Sequence, residues 1–253
     1  MSNLTYTFKE MMVVVASRFL KNNDVVFTGI GLPSLAVNLA KRIKAPDISM
    51  IYESGTLDTK PDKLPLSIGD DELSRKALSI ISVPEVFRYW LQNEKIQIGF
   101  LGAAQVDRFG NINTTVIGRD YNNPKVRLPG AGGAPEIAAF CKNTFIILSH
   151  NKRNCVEKLD FITSVGYAEG YNSRNKYNFT SNGPRAIITD LGILEPCSET
   201  KEFILTHIHP GVSVETAIAS TGWPLKVDKN IKTTSLPTEK ELAELRKLEA
   251  TQN

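Results

Sequence analysis

Side chains that announce a chemistry are scarce in this sequence, and the scarcity removes several classes of function at once. Only three cysteines occur, Cys141, Cys155 and Cys197, far apart and with no Cys-x-x-Cys pair. That argues against a disulfide framework and against a zinc site, so reduced thiols in a cytoplasmic protein are the expectation. Three histidines, His150, His207 and His209, are too few and too badly placed for a catalytic triad. No metal ligand set and no redox cofactor motif is present. The net charge is only +3 and Lys and Arg are scattered, which excludes a nucleic-acid-binding stripe. No run approaches the roughly 18 apolar residues of a membrane span. The opening segment, MSNLTYTFKEMMVVVASRFLKNND, lacks the pattern of a cleavable signal. Its short run MMVVVA is followed by Arg18 and Lys21 and reads as part of an amphipathic first helix.

Familiar phosphate and nucleophile motifs are missing as well. GxxxxGK[ST] does not occur. GIGLPS at 29–34 has Ser34 where GxGxxG needs its last glycine, and YESGT at 52–56 is no GxSxG elbow.

What remains is ordinary globular material, 253 residues of which 42% are hydrophobic, enough for a sizeable core. The spacing predicts a helix over 7–22, a strand running into a glycine turn over 24–31, a helix over 32–43 and a strand over 48–52. Strand, glycine turn, helix, strand is the signature of a parallel βαβ unit. A polar loop follows over 56–75, then a helix over 82–94. Two strands joined by an Asp-Arg-Phe-Gly turn are expected over 96–118, and a glycine turn opening a helix over 127–143. Further on come a strand at 144–150, a hairpin over 185–196 around Asp190-Leu191-Gly192, and a strand, turn and helix over 202–223. The charged tail from 237 carries Leu242, Leu245 and Leu248 at helical spacing. The expected fold class is α/β, a single domain over 1–253 with a mainly parallel sheet flanked by helices.

Within that frame one short stretch raises a question. The apolar run Ile48–Tyr52 ends in Glu53-Ser54-Gly55, which places a carboxylate at the lip of a buried sheet, where partial dehydration is costly. A salt bridge or a helix cap would be the unremarkable explanation for Glu53. Two glycine turns, GIGLPS (29–34) and GAGGAPE (130–136), each follow an extended segment and open a helix. Such turns let a ligand approach the backbone and meet free N–H groups; they also serve simply to reverse the chain.

Taken together and in order, GIGLPSLAVNLA, the strand ending in Glu-Ser-Gly, LGAAQVDRFGNINTT, RLPGAGGAPEIA and LTHIHPGVSVETAIASTGW resemble the β subunit of family I CoA-transferases, of the glutaconate type. The resemblance runs from about residue 8 to about 225. It implies that Glu53 is a covalent nucleophile in a ping-pong transfer of CoA between carboxylic acids, through an acyl-glutamyl anhydride and a glutamyl-CoA thioester. It further implies an oxyanion site, for which Gly132 or Gly133 is the expected donor. Substrate and CoA would be bound along Gly29, Gly31, Ser54, Gln105 and Gly130, with a purely structural amide the alternative for Gln105. No tightly bound cofactor is implied, since CoA thioester is a substrate. A homologous α subunit is implied as partner, in a heterotetramer or larger assembly, with neither nucleic acid nor membrane involved. A dicarboxylic acid such as glutaconate is the implied acceptor. Some relatives of this subunit are CoA-dependent hydrolases or decarboxylases in which the glutamate is replaced, and a non-catalytic subunit is a further alternative.

Overall fold

A computed structural model describes residues 5–118 and 120–251. These residues gather into two compact units, one formed by the described residues of the stretch up to 100 together with those from 235 onward, and the other by those between 101 and 234.

The first unit holds strands β1 (Val25–Phe27), β2 (Ser49–Ile51), β3 (Thr56–Leu57), β4 (Ser79–Ile80) and the start of β5 (Ile98–Gly102). β1 pairs in parallel with β2, Val25 opposite Ser49 and Phe27 opposite Ile51, and on its other side with β5. Between β1 and β2 runs α2 (Leu32–Ile43), so the predicted βαβ unit is present. β3 turns back antiparallel on β2, and β4 antiparallel on β3. The stretch 56–75 is therefore not the plain loop expected: it contains β3 and a short helix α3, Asp71–Arg75. A strand of two residues is too short for any alternation to register.

Helix α1 (Phe8–Arg18) starts one residue later than the predicted 7–22 because Thr7 caps it, its hydroxyl accepting from the Glu10 N–H while Glu10 reaches back to the Thr7 N–H. It ends four residues earlier, where the Phe19 N–H closes the last turn on the Ala16 and Ser17 carbonyls. Met11 to Ala16 are all buried, since α1 packs against α2 and against the C-terminal helix α7, Glu239–Ala250. The predicted tail helix thus belongs to the first unit, with Leu242, Leu245 and Leu248 buried. Ion pairs strap it down, among them Arg246 to Glu10 at 2.6 Å and Arg18 to Glu241 at 2.7 Å. The expected helix over 82–94 is a single turn, α4 (Val83–Glu85), continuing as a π-helical segment over Val86–Leu91.

The second unit carries β6 (Gln105–Val106), β7 (Ile112–Asn113), β8 (Val116–Ile117), β9 (Val126–Arg127), β10 (Asn143–Ile147), β11 (Pro184–Ile188), β12 (Gly192–Pro196), β13 (Phe203–Ile208) and β14 (Val227–Thr233), with α5 (Ala134–Phe140) and α6 (Val214–Ala219). β10 and β11 are parallel, as are β13 and β14, while the predicted hairpin of β11 with β12 and the pair β12–β13 are antiparallel. The two long strands expected over 96–118 are broken into shorter ones, although the Asp-Arg-Phe-Gly turn is where the sequence puts it. There the Asp107 carboxylate accepts from the Phe109 and Asn111 N–H groups at 2.9 and 3.0 Å. No helix among the described residues is long and apolar enough to cross a membrane.

Candidate active site at the strand ends

In the first unit β1 and β2 run side by side, and the Thr28 N–H bonded to the Ile51 carbonyl at 2.8 Å carries their pairing to the last residues. Beyond this point β1 enters Gly29-Ile30-Gly31 and α2, while β2 enters Tyr52-Glu53-Ser54-Gly55. Two of the sequence-predicted groups are therefore brought together, at the carboxyl edge where open α/β sheets bind ligands.

The turn that presents Glu53 is tightly built. The Gly55 N–H donates to the Tyr52 carbonyl at 3.0 Å, and the Tyr52 N–H to the Thr56 carbonyl at 3.1 Å. Glu53 and Ser54 are left at the two corners. Gly55 has φ +100, and a Cβ there would lie 1.9 Å from the Ile81 carbonyl oxygen; only glycine fits. Glu53 is half-buried. Among the described residues its carboxylate has neither an ion-pair partner nor a helix N-terminus to cap, so the unremarkable explanations for a strand-end glutamate do not apply. The neighbouring Ser54 hydroxyl oxygen is closed off from solvent and has no hydrogen-bond partner, an uncommon state for a buried polar atom. A Cβ built on Gly31 would meet nothing within 4 Å, and one on Gly29 only the Pro33 ring at 3.7 Å. The GIG turn therefore faces open space rather than packed protein.

Beneath the turn lies a polar group that sequence reasoning missed. Tyr52 is wholly buried, and its hydroxyl is 3.0 Å from the Ser34 Oγ. Asn38 Nδ2 donates to the Ser34 carbonyl at 2.9 Å and to its Oγ at 3.3 Å. Burial pushes the Tyr52 phenol up to about 12, against the opposing hydrogen bonds of Ser34 and Asn38. The available signal was a pair of polar residues, Ser34 and Asn38, four apart on an otherwise apolar helix face.

In the second unit the GAGG turn is held by the NTT segment of the same motif set. The Gly130 N–H donates to the Thr114 carbonyl at 2.9 Å and the Thr114 hydroxyl to the Gly130 carbonyl at 2.8 Å. Thr115 and Thr163 share a hydroxyl contact of 2.7 Å behind them. The N–H groups of Gly132 and Gly133 make no hydrogen bond among the described residues. Next to this turn is an open hollow of about 320 Å³ walled by Gly102, Ala104, Thr114, Leu128, Gly130 and Ala134, most of them with small side chains.

Gln105 is tied into the protein through its side-chain amide. It is 6% exposed; its Oε1 accepts from Asn113 Nδ2 at 2.8 Å and from the Asp160 N–H at 3.2 Å, and its Nε2 donates to Asp160 at 3.0 Å. The carboxamide clamps the β6–β7 hairpin to the loop at 160. His150 and His209 are likewise tied in: both are buried, and their ring nitrogens bond Thr189, Thr221 and Thr234. All three cysteines are free thiols, and burial pushes Cys155 up to about 12. No cluster of three or more His, Cys, Asp or Glu among the described residues is arranged to hold a metal ion.

The chain is 57% identical to the B-type subunit of 3-oxoadipate CoA-transferase from Pseudomonas knackmussii, over 97% of this chain and 94% of that protein. It is 37% identical to the B-type subunit of glutaconate CoA-transferase from Acidaminococcus fermentans, over 89% of this chain and 86% of that one. The crystal structure of glutaconate coenzyme A-transferase from the same organism superposes with a TM-score of 0.90 at 35% identity, covering 96% of this chain and 94% of the other. A family model, Coenzyme A transferase, matches residues 9–220, a stretch that includes the Glu53 turn and both glycine turns. The chain belongs to the coenzyme A transferase family.

Proposed function

We propose that this chain is the B-type subunit of a heteromeric CoA-transferase that moves CoA from an acyl-CoA donor to a dicarboxylic acid of the 3-oxoadipate type, with Glu53 as the covalent nucleophile. The observation that carries the reading is the Glu53 carboxylate, presented at a turn corner, half-buried, and engaged by no other group among the described residues.

The chemistry follows from what a carboxylate can do once held. In water it is a feeble nucleophile, but orientation against a thioester replaces a bimolecular encounter and is worth several powers of ten. The Glu53 oxygen attacks the thioester carbonyl and expels CoA thiolate, giving an acyl-glutamyl anhydride. The thiolate attacks the glutamyl carbonyl, releases the donor acid as its carboxylate and leaves a glutamyl-CoA thioester. The acceptor carboxylate attacks that thioester and expels the thiolate, and the thiolate then takes the acceptor's acyl group and frees Glu53. Each step forms one bond to carbonyl carbon and breaks one, with no net proton change.

Within the second unit the unused amides of Gly132 and Gly133 remain candidate oxyanion donors, such a donor being worth about 2.7–4 kcal/mol of barrier where it acts. The hollow beside Gly130 suits a slender pantetheine arm, and Gly29, Gly31 and Ser54 border Glu53. Gln105 serves by holding its hairpin. CoA is substrate, and no tightly bound cofactor is required. The companion is a homologous A-type subunit, in a tetramer or larger assembly. A cytoplasmic setting suits three free thiols. The acceptor is 3-oxoadipate rather than glutaconate because the relative carrying that name is 57% identical against 37%; both are dicarboxylates.

The test is transfer by the full chain co-expressed with its companion subunit. Succinyl-CoA is the donor and 3-oxoadipate or glutaconate the acceptor, with hydroxylamine trapping and mass spectrometry to locate the adduct. The expected result is acceptor-dependent CoA transfer, faster to 3-oxoadipate, and a modified Glu53. Glu53→Gln should lose several powers of ten in rate. Thiol release without an acceptor would instead identify a hydrolase, and full activity in Glu53→Gln would remove the nucleophilic role.

A further inference from the structure

A carboxylate at the corner of a two-residue turn gains its rate from being held still, and the residue that holds this one lies buried behind it. Tyr52 is gripped at both ends. Its main chain frames the corner, accepting from the Gly55 N–H at 3.0 Å and donating to the Thr56 carbonyl at 3.1 Å. Its hydroxyl, at the far end of the ring, is 3.0 Å from Ser34 Oγ, in the first turn of the helix that begins after Gly31. Asn38, one turn further along, fixes Ser34 through two hydrogen bonds.

The polarity of this cluster is what calls for an explanation. Tyr52, Ser34 and Asn38 are 0%, 1% and 6% exposed. Phenylalanine, alanine and leucine in their places would fill much the same space without any polar atom to desolvate. Buried polar networks that are fully satisfied specify one arrangement where apolar packing tolerates several. Here the arrangement specified is the position of the Glu53 turn relative to the GIG turn: the hydroxyl fixes how far Tyr52 reaches toward α2, and the backbone one bond away fixes where Glu53 starts.

We propose that Tyr52 is a positioning residue for Glu53, acting through the Ser34 hydroxyl and Asn38. The inference rests on Glu53 being the nucleophile. It assigns the Tyr52–Ser34 hydrogen bond to the acylation step and not to the binding of CoA.

The experiment compares wild type, Tyr52→Phe, Ser34→Ala and the double variant, each as the full chain in complex with its companion subunit. Three quantities are read: the single-turnover rate of Glu53 acylation by succinyl-CoA, the KM for succinyl-CoA, and the melting temperature. Tyr52→Phe is expected to slow acylation about tenfold to a hundredfold, the cost of a misplacement of about 1 Å, with KM changed less than about twofold. Ser34→Ala, a smaller change that also covers the case of Tyr52→Phe failing to fold, should slow acylation in the same way. The double variant should be no slower than the slower single, because both singles already remove the Tyr52–Ser34 bond. Acylation at the wild-type rate in folded Tyr52→Phe or Ser34→Ala overturns the proposal. So does a rate loss that merely follows the fraction of unfolded protein or is matched by KM. If wild type itself yields no adduct on Glu53, the nucleophilic reading has failed and the positioning role goes with it, an outcome distinct from the other two.

Discussion

Gly55 decides how much freedom the Glu53 turn has. With φ +100 and the Ile81 carbonyl 1.9 Å from where a Cβ would sit, Gly55→Ala is both sterically and conformationally excluded, so either the turn opens or β4 moves away. The expected cost is about 2–4 kcal/mol of stability, read as a lowered urea midpoint with m unchanged, together with loss of Glu53 acylation. His150 supplies a second prediction. Burial, partly offset by the nearby Asp190 charge, lowers its pKa to about 4, whereas the unfolded chain has the ordinary value of about 6.5. Between those values the unfolded chain takes up a proton that the folded chain refuses. Stability is therefore full above about pH 6.5, falls as pH drops through the window and levels off below about pH 4. The ceiling is of order 3 kcal/mol, and His209, also lowered by burial, adds in the same direction. Urea unfolding across pH 4–7 should show the slope, and His150→Asn should flatten it. Of these residues, Glu53 was legible as a carboxylate ending an apolar run. Tyr52 was not, because a tyrosine inside such a run reads as core, and only the folded chain shows where its hydroxyl goes.

At the scale of elements, α7 lies outside the stretch 9–220 matched by the family model, yet α1 and α2 depend on it to cover their apolar faces. Leu245 is 0% exposed, and Leu245→Ala should cost about 2–5 kcal/mol. Breaking the outlying Lys9–Glu249 pair, whose side chains are 58% and 30% exposed, should cost under about 1 kcal/mol. Chemical denaturation of both variants measures the difference, and apolar burial rather than charge is expected to dominate. Elements with a strong period or a firm boundary were readable beforehand: the βαβ unit, the hairpin around Asp190-Leu191-Gly192, the leucine-spaced tail helix. β3 and β4, at two residues each, are too short to show a period. β14 reads VDKNIKT, with both faces largely in contact with solvent, and carries no hydrophobic alternation to find. Nor does any residue pattern distinguish the π-helical 86–91 from an ordinary helix.

For the whole molecule, the family match takes in parts of both compact units, so the reaction class could be read from ordered motifs while the acid could not. Substrate choice depends on pocket shape, which no short motif encodes; only overall similarity shifted the expectation from glutaconate to 3-oxoadipate. The chain purified alone is expected to be inactive in CoA transfer and to gain activity on adding the companion subunit, eluting then as a larger species on gel filtration. Full activity in the isolated chain would contradict the heteromeric assignment. The geometry of the Tyr52–Gly55 turn also bears on how such a scaffold could diversify. Its first position is anchored in the interior and its fourth admits nothing larger than hydrogen, so only the two corners remain open to mutation. A descendant of this protein that acquired a different reaction without rebuilding the sheet would carry the change at position 53 or 54.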